Sequence, residues 1–553
     1  MAKVKIRSFA SPTLILLAFD WKDGGDRDDF LGFAIERKPG FSGKPKSWLP
    51  NRIGFDGPVR GKDFPSDQAP IQKFMWWDAR IDDKDREKTF TYTVTPVVKP
   101  AEKPQLLDNF ASSIQVILPP PENKGIGSYF NRAVVSSQSF SQKFTPVTNK
   151  NLKSALEWLA NGLEKVIPNF IAGSDECQGA IYHLTDEYWV VPAFKNYDGN
   201  LSLVYNSKTN DQANAQAVNE LEKKPGVQLS PRTKANIMHN KFLVKFTGGV
   251  PSDVLMGSAN FTTEGLATQA NVLHTFHSAE LAKLYLERKN LLAGDPTLAK
   301  TAKGAAWSQP ATVGNAKVRL FLSPEPSKDR SSIDQVVSSV KSAKKSVLFC
   351  LFSPTDAQLR DAIFDAGDAG KMMFGLVNSI SSKQADGEDG GNAGDVAKVE
   401  IFSRSRDKKD VYSHSLYAKN DCPEGFWNET SSLPGKAAKF PVYIHHKFIV
   451  IDAETDNPVA YSGSANMSGN SVHKNDENLL EIRGSRELAA VYLAEFFRLY
   501  EHYKARAIWN LWKEAHDQGK KFRRYELNRT GTWKKKYYDP QTPEYKSRIS
   551  MAS

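Results

Sequence analysis

The chain has 553 residues, with 74 Lys and Arg against 63 Asp and Glu and a net charge of +11. At 40% hydrophobic and 11% aromatic residues, it can bury large cores and is not mostly disordered. The length fits roughly three or four domains, and the basic balance points to an anionic partner: nucleic acid, a membrane surface or a phosphate-bearing substrate.

Cys177, Cys350 and Cys422 are the only cysteines. This odd set has no CxxC spacing, which excludes a disulfide scaffold and a cysteine zinc site and fits a reducing compartment. No apolar run approaches the roughly 20 residues that span a bilayer. Lys3, Lys5 and Arg7 precede the apolar run Leu14–Phe19, a superficial likeness to a signal peptide. The run is short, Asp20-Trp21 follows at once, and no small-residue cleavage site appears. A buried strand and a cytoplasmic protein are expected.

Residues 1–120 read as all-β. Runs rich in β-branched and aromatic residues (Thr13–Phe19, Leu31–Ile35, Phe74–Trp77, Phe90–Val98, Ser113–Leu118) alternate with Gly- and Pro-rich turns. The expectation is an accessory β-sandwich of immunoglobulin or fibronectin-III type, closed by Pro119-Pro120-Pro121 as a stiff linker.

From residue 122 the texture becomes α/β. Leu152–Val166 has helical apolar spacing. Ala180–Leu184, Leu201–Tyr205 and Asn236–Phe246 read as strands. A similar order recurs: a helix over Ile333–Val340, then strands over Ser346–Phe352, Met372–Val377 and Tyr443–Ile451. Ala293–Asn315 reads as a linker and Asp386–Asp395 as a flexible loop. The expected units are 122–300 and 315–510, with a C-terminal extension over 511–553.

The two halves share a motif. Met238-His239-Asn240-Lys241-Phe242-Leu243-Val244 precedes Gly257-Ser258-Ala259-Asn260. Ile444-His445-His446-Lys447-Phe448-Ile449-Val450 precedes Gly463-Ser464-Ala465-Asn466. The step from His to Gly is 18 residues in both. Two copies at identical spacing mark an internal duplication. Residues i and i+2 of a strand share a face, so His239 projects with Lys241 and His445 with Lys447. His446 points away, into packing. Ser258, Asn260, Ser464 and Asn466 supply hydroxyl and amide groups for phosphate oxygens. The lysines neutralise nonbridging oxygens, one histidine attacks phosphorus, and the other protonates the leaving oxygen.

These paired segments resemble the phospholipase D superfamily, whose signature is HxK-x4-D followed by G-S-x-N. The resemblance covers about residues 122–510. His445-x-Lys447-x4-Asp452 matches fully, and Asn475-Asp476-Glu477-Asn478 resembles the family's acidic segment. The resemblance implies two pseudo-symmetric α/β domains sharing one active site. It also implies a phosphodiesterase with a covalent phosphohistidine, needing no metal or organic cofactor and no oligomer. Its members cleave phospholipids, transfer phosphatidyl groups or cut nucleic acid. Phospholipid is the expected substrate, a nuclease the alternative, and a degenerate phosphate-binding protein the third reading.

The first half departs from the pattern. Phe246 stands at the Asp position, and Asn271 at the place of Glu477. If Glu477 contacts His445, it favours the charged imidazole and makes His445 the proton donor. His239, beside neutral Asn271, is then the expected nucleophile; the reverse assignment stays open, because a carboxylate also orients a nucleophilic histidine. This resembles the tyrosyl-DNA phosphodiesterase branch. Asn271 is expected to line the substrate site, and Asp452 and Asn475 to support it.

Remaining candidates carry weaker expectations. Glu264 and Gln269 flank the first Gly-Ser-x-Asn segment. His274, His277 and His473 are expected to be structural or exposed. Trp76-Trp77 reads as core or as a ligand platform. Residues 501–553 hold 8 Lys and 5 Arg against 6 acidic residues. In the runs Lys520–Tyr525 and Trp533–Tyr538 the bases interleave with aromatics, which suits a nucleic-acid backbone, an anionic membrane surface, or a solvated helix and tail packed over the second domain.

Overall fold

The computed structural model describes residues 2–81, 83–99, 103–208, 212–379, 398–405, 408–414, 422–429, 433–434, 443–519 and 525–553. The loop expected at Asp386–Asp395 and the basic run Lys520–Arg524 lie outside them. The fold is mixed α/β with two large sheets.

The first large sheet has eight strands in the order Glu122–Asn123, Ile126–Phe130, Val272–His277, Val250–Gly257, Lys241–Thr247, Glu176–Ile181, Asn200–Asn206 and Val227–Arg232. The second has nine: Ala311–Val313, Ala316–Ser323, Glu477–Arg483, Val459–Gly463, Lys447–Ile451, Ser346–Phe352, Met372–Ser379, Lys398–Ser405 and Lys408–His414. Central strands such as Ser346–Phe352 are buried throughout, as their unbroken apolar runs require. The parallel step Glu176–Ile181 to Asn200–Asn206 matches Ser346–Phe352 to Met372–Ser379. The sheets differ in the next strand, parallel in the first and antiparallel in the second.

The long helix Arg486–Asp517 is capped by the Ser485 hydroxyl, which accepts the Leu488 N–H. Its apolar side joins strands of both sheets in one core. The expected helix Leu152–Val166 is two helices, Leu152–Ala160 and Leu163–Ile171. Asn161 and Gly162 between them take left-handed backbone, φ 55° and 104°, which stops the first helix. The expected linker holds the helix Leu298–Ala302 and the strand Ala311–Val313.

Residues 5–117 contribute a three-stranded sheet (Lys5–Ala10, Ile15–Asp20, Met75–Asp78) and a five-stranded sheet built on Phe30–Lys38 and Thr89–Val98. Ile15, Leu17 and Phe19 face a core with Phe33, Ile35 and Tyr92. Leu14, Leu16 and Ala18 face the opposite way, into the core of the long helix. Strand alternation thus joins this region to the rest through a buried sheet face. Phe9, on the neighbouring strand, adds to that face.

The C-terminal aromatics are packed, not displayed. Tyr537 is buried in the N-terminal core, with Trp533 and Tyr538 against it. The Trp533 ring lies 5.8 Å from Phe74, and Lys534 Nζ donates to the carbonyls of Gly24, Gly25 and Arg27.

Candidate active site

Strands Lys241–Thr247 and Lys447–Ile451 begin at their lysines. His239 and His445 therefore precede the strands on which they were expected. Their segments pair across the halves. Met238 bridges Asp476, and Ile444 bridges Ala270. The His239 N–H donates to the Asp476 carbonyl at 2.9 Å, and the His445 N–H to the Ala270 carbonyl at 3.1 Å.

This exchange sets the side-chain partners. His239 Nδ1 lies 2.6 Å from Glu477 Oε2, and His445 Nδ1 lies 2.9 Å from Asn271 Oδ1. The expected contact of Glu477 with His445 is thus reversed, because each partner follows the segment that bridges the opposite half. An ionised carboxylate only accepts, so His239 carries its hydrogen on Nδ1. Asn271 Nδ2 donates to the Gly265 carbonyl at 2.8 Å, which turns Oδ1 toward His445 and makes that Nδ1 a donor as well. In both rings Nδ1 is thus engaged by a side chain of the opposite half.

Ser464 donates to Glu477 Oε2 at 2.6 Å, and Ser258 to Asn271 Oδ1 at 2.8 Å. A serine has one proton to donate, so in this structure these hydroxyls are spent on the histidine partners, and Asn271 Oδ1 is spent on His445. Ser471 and Asn475 donate to Glu477 Oε1 at 2.9 and 3.2 Å. Asn260 and Asn466 are buried in the Gly-Ser-x-Asn turns. A Cβ at Gly257 would meet the Val272 carbonyl at 2.2 Å, and one at Gly463 the Asn478 carbonyl at 2.3 Å. Close backbone approach therefore demands glycine at both places.

Lys241 Nζ donates to the His239 carbonyl at 2.7 Å, and Lys447 Nζ to the His445 carbonyl at 2.9 Å. Both lysines are fully buried. Asp452 accepts the N–H groups of Lys344, Lys345 and Ser346, bracing strand Ser346–Phe352. Phe246 at the corresponding place is buried in the apolar core. Asp476 bonds Arg232 at 2.8 Å and Arg288 at 3.2 Å. Burial pushes its carboxyl above the ordinary range, and the arginines pull the other way.

Two residue pairs escaped the sequence reading. Asn206 Oδ1 accepts the Met238 N–H, and Asn378 Oδ1 accepts those of Tyr443 and Ile444. Each fixes the segment ahead of a histidine, and an Asn-Ser pair after an apolar strand was the available signal. The Tyr182 ring lies 5.1 Å from His239, with Lys241 Nζ 5.0 Å from its centre. The Phe352 ring lies 5.2 Å from His445, with Lys447 Nζ at 5.0 Å. Each His-Lys pair thus has one aromatic wall.

His446 is fully buried against Phe130 and Phe448, and burial holds its pKa well below the ordinary value. His274 is buried, bonded to Tyr492 and Gly127, with its pKa pushed down to about 4. His277 is exposed beside Asp253, and His473 is half-buried. Glu264 sits half-buried in the first turn of helix Thr263–Ala267. The Gln269 carbonyl accepts from Asn131. Among the described residues, no cluster of three or more His, Cys, Asp or Glu is placed to hold a metal ion. Among them, too, no helix is long and apolar enough to cross a membrane.

A family model described as "Cardiolipin synthase, PLD-like domain" matches residues 336–500. The chain carries a phospholipase D-like domain. The matched span includes His445, Lys447, Ser464, Asn466 and Glu477, and it bears out the superfamily resemblance of the motifs. No curated protein matches the chain. Among solved structures, phosphatidylserine synthase of Haemophilus influenzae is 12% identical. It covers 65% of this chain and 92% of its own, with a TM-score of 0.41. The phospholipase D family member Nuc of Salmonella typhimurium is 19% identical over 24% of this chain and 86% of its own, with a TM-score of 0.21. Yeast tyrosyl-DNA phosphodiesterase is 11% identical over 57% and 84%, with a TM-score of 0.31.

Proposed function

We propose that this phospholipase D-like chain is a phosphodiesterase whose two halves, a duplicated pair, share one site. The reciprocal exchange that gives His239 to Glu477 and His445 to Asn271 carries this reading. His239 Nε2 attacks phosphorus, and the bond to the leaving oxygen breaks. His445, doubly protonated, gives its Nε2 proton to that oxygen. His445 then takes a proton from water, the hydroxide attacks phosphorus, and the P–N bond breaks. An alcohol in place of water gives transfer. Lys241 and Lys447 balance the nonbridging oxygens.

The assignment of His239 as nucleophile stays, but its reason changes. A phosphorylated imidazole is cationic, and Glu477 faces that charge while holding the Nδ1–H tautomer, as the third member of a catalytic triad does. His445, beside a neutral amide, passes its proton without forming a bond to phosphorus.

Phospholipid and nucleic acid both present the required phosphodiester. The test is a parallel assay on phosphatidylcholine or phosphatidylethanolamine vesicles and on single- and double-stranded DNA, with bis(p-nitrophenyl) phosphate as a small substrate. His239→Ala is the control. Head-group release without DNA cutting selects the lipid enzyme, and the converse selects the nuclease. Absence of turnover on every substrate would leave only a phosphate-binding protein and overturn the reading.

A further inference from the structure

The N-terminal sheets, the first half and the long helix meet around two adjoining cavities of about 470 and 1210 Å³ that share lining residues. Together they are lined by nine Lys and Arg against six Asp and Glu. Arg52, Arg80, Arg132 and Trp158 line both and form a waist. Arg52 and Arg80 share one carboxylate, Asp63, at 3.0 and 2.6 Å. Arg132 bonds the Trp158 carbonyl and lies 4.7 Å over the Trp158 ring. Among the described residues, no carboxylate is within ion-pair distance of it. Three guanidinium groups thus have one directly paired acid, with Asp83 and Glu495 acting on Arg132 from farther off. Arg498 adds a fourth behind them, bonded to Glu495 and to the Arg132 carbonyl.

Aromatic rings lie on both sides of this waist. Trp76 and Trp77 line one cavity and stack at 5.3 Å. Tyr188 and Trp189 line the other, 5.8 Å apart. All four are half-buried. Trp76 packs toward the N-terminal core and Trp77 toward the core of the long helix, as strand alternation requires, and both also border this cavity.

We propose that this groove binds single-stranded nucleic acid, with a phosphate at Arg52, Arg80 and Arg132 and bases against the aromatic pairs on either side. The order ring, cation, ring matches base, phosphate, base along one strand. A phospholipid head group supplies the phosphate without flat rings, and a duplex hides its base faces. Burial and the nearby Arg498 lower the Arg132 pKa to about 10, a cost that a bound phosphate removes. The groove also touches the candidate site: Arg498 bonds the Asn131 carbonyl, and Asn131 Oδ1 accepts the N–H of Asn271, the partner of His445. The proposal extends beyond the catalytic reading and stands without it.

The experiment measures fluorescence anisotropy of a labelled 20-nucleotide oligo-dT with the full chain carrying His239→Ala, across a salt series. Binding is expected, with a steep salt dependence. Arg132→Gln and Arg80→Gln should each flatten the salt slope by about 1. Trp76→Ala should weaken binding roughly 5- to 150-fold. The thermal midpoint and far-ultraviolet circular dichroism of Arg132→Gln should match those of the parent chain, which shows the fold intact. If that variant does not fold, the exposed Arg80→Gln decides. Unaltered binding in the arginine variants, no oligo-dT binding, or binding to phosphatidylglycerol vesicles alone would overturn the proposal.

Discussion

His239 and Glu477 are 238 residues apart in the chain, yet Nδ1 of one lies 2.6 Å from Oε2 of the other. The carboxylate is held by Ser464, Ser471 and Asn475 as well, so its position does not depend on the imidazole it meets. Glu477→Gln is expected to lower kcat about 10²- to 10⁴-fold, the range for losing an oriented acid–base partner. The thermal midpoint checks that the fold survives. An unchanged kcat would remove Glu477 from the chemistry.

Rapid quenching during turnover should trap phosphate on His239, and peptide mass spectrometry locates it. The His445→Asn variant should accumulate that adduct when the leaving group is a good one, such as p-nitrophenolate, because only the water-activating step then needs His445. Phosphate found on His445 in the parent chain would exchange the two roles.

Tyr182 and Phe352 flank equivalent His-Lys pairs. Leucine at either place keeps the bulk and loses the ring face toward the ammonium, an interaction of about 0.5–2 kcal/mol. Phe352→Leu should reduce kcat/KM about 2- to 30-fold on a small diester, with the far-ultraviolet circular dichroism unchanged.

Two buried histidines set a pH window for stability. Their pKa values are depressed in the folded protein, to about 4 for His274 and well below the ordinary value for His446. The unfolded chain therefore takes up the protons first. Stability is full above about pH 6.5 and falls as the pH drops from there, by up to about 1.4 kcal/mol per pH unit for each histidine. His446→Phe should flatten that decline by one proton in urea titrations between pH 7.5 and 5. It should also raise stability at pH 7 by about 1 kcal/mol, since the ring nitrogens meet no hydrogen-bond partner among the described residues.

Tyr537→Ala should destabilise the chain by about 3 kcal/mol, because its ring packs against Phe74 at 5.0 Å inside the N-terminal core. Urea unfolding followed by tryptophan fluorescence measures this. A loss within 0.5 kcal/mol would mean that the C-terminal segment is not part of that core.

The sequence was most readable where chemistry is local. The two HxK segments were plain in the residues, and the structure bridges each to the other half, Met238 to Asp476 and Ile444 to Ala270. The buried strands at Ser346–Phe352 and Met372–Ser379 follow their apolar runs closely. What spacing does not carry is which half a side chain answers to. The pairing of Glu477 with His239 depends on the bridge from Met238 to Asp476, a contact between segments that no periodicity links. The basic-aromatic run Trp533–Tyr538 misled for a related reason: composition describes a surface and a core alike, and Phe74 and Trp21, which receive those rings, lie some 500 residues earlier. The break at Asn161-Gly162 was written in the residue types, but the apolar spacing runs through it.

The exchanged segments alter what it means for one half to have lost an acid. Asn271 belongs to the first repeat by sequence, yet the histidine it serves belongs to the second. A substitution at Asn271 or Glu477 is therefore felt first by a histidine far away in the chain. Exchanging the amide and the carboxylate would give each histidine the other's companion.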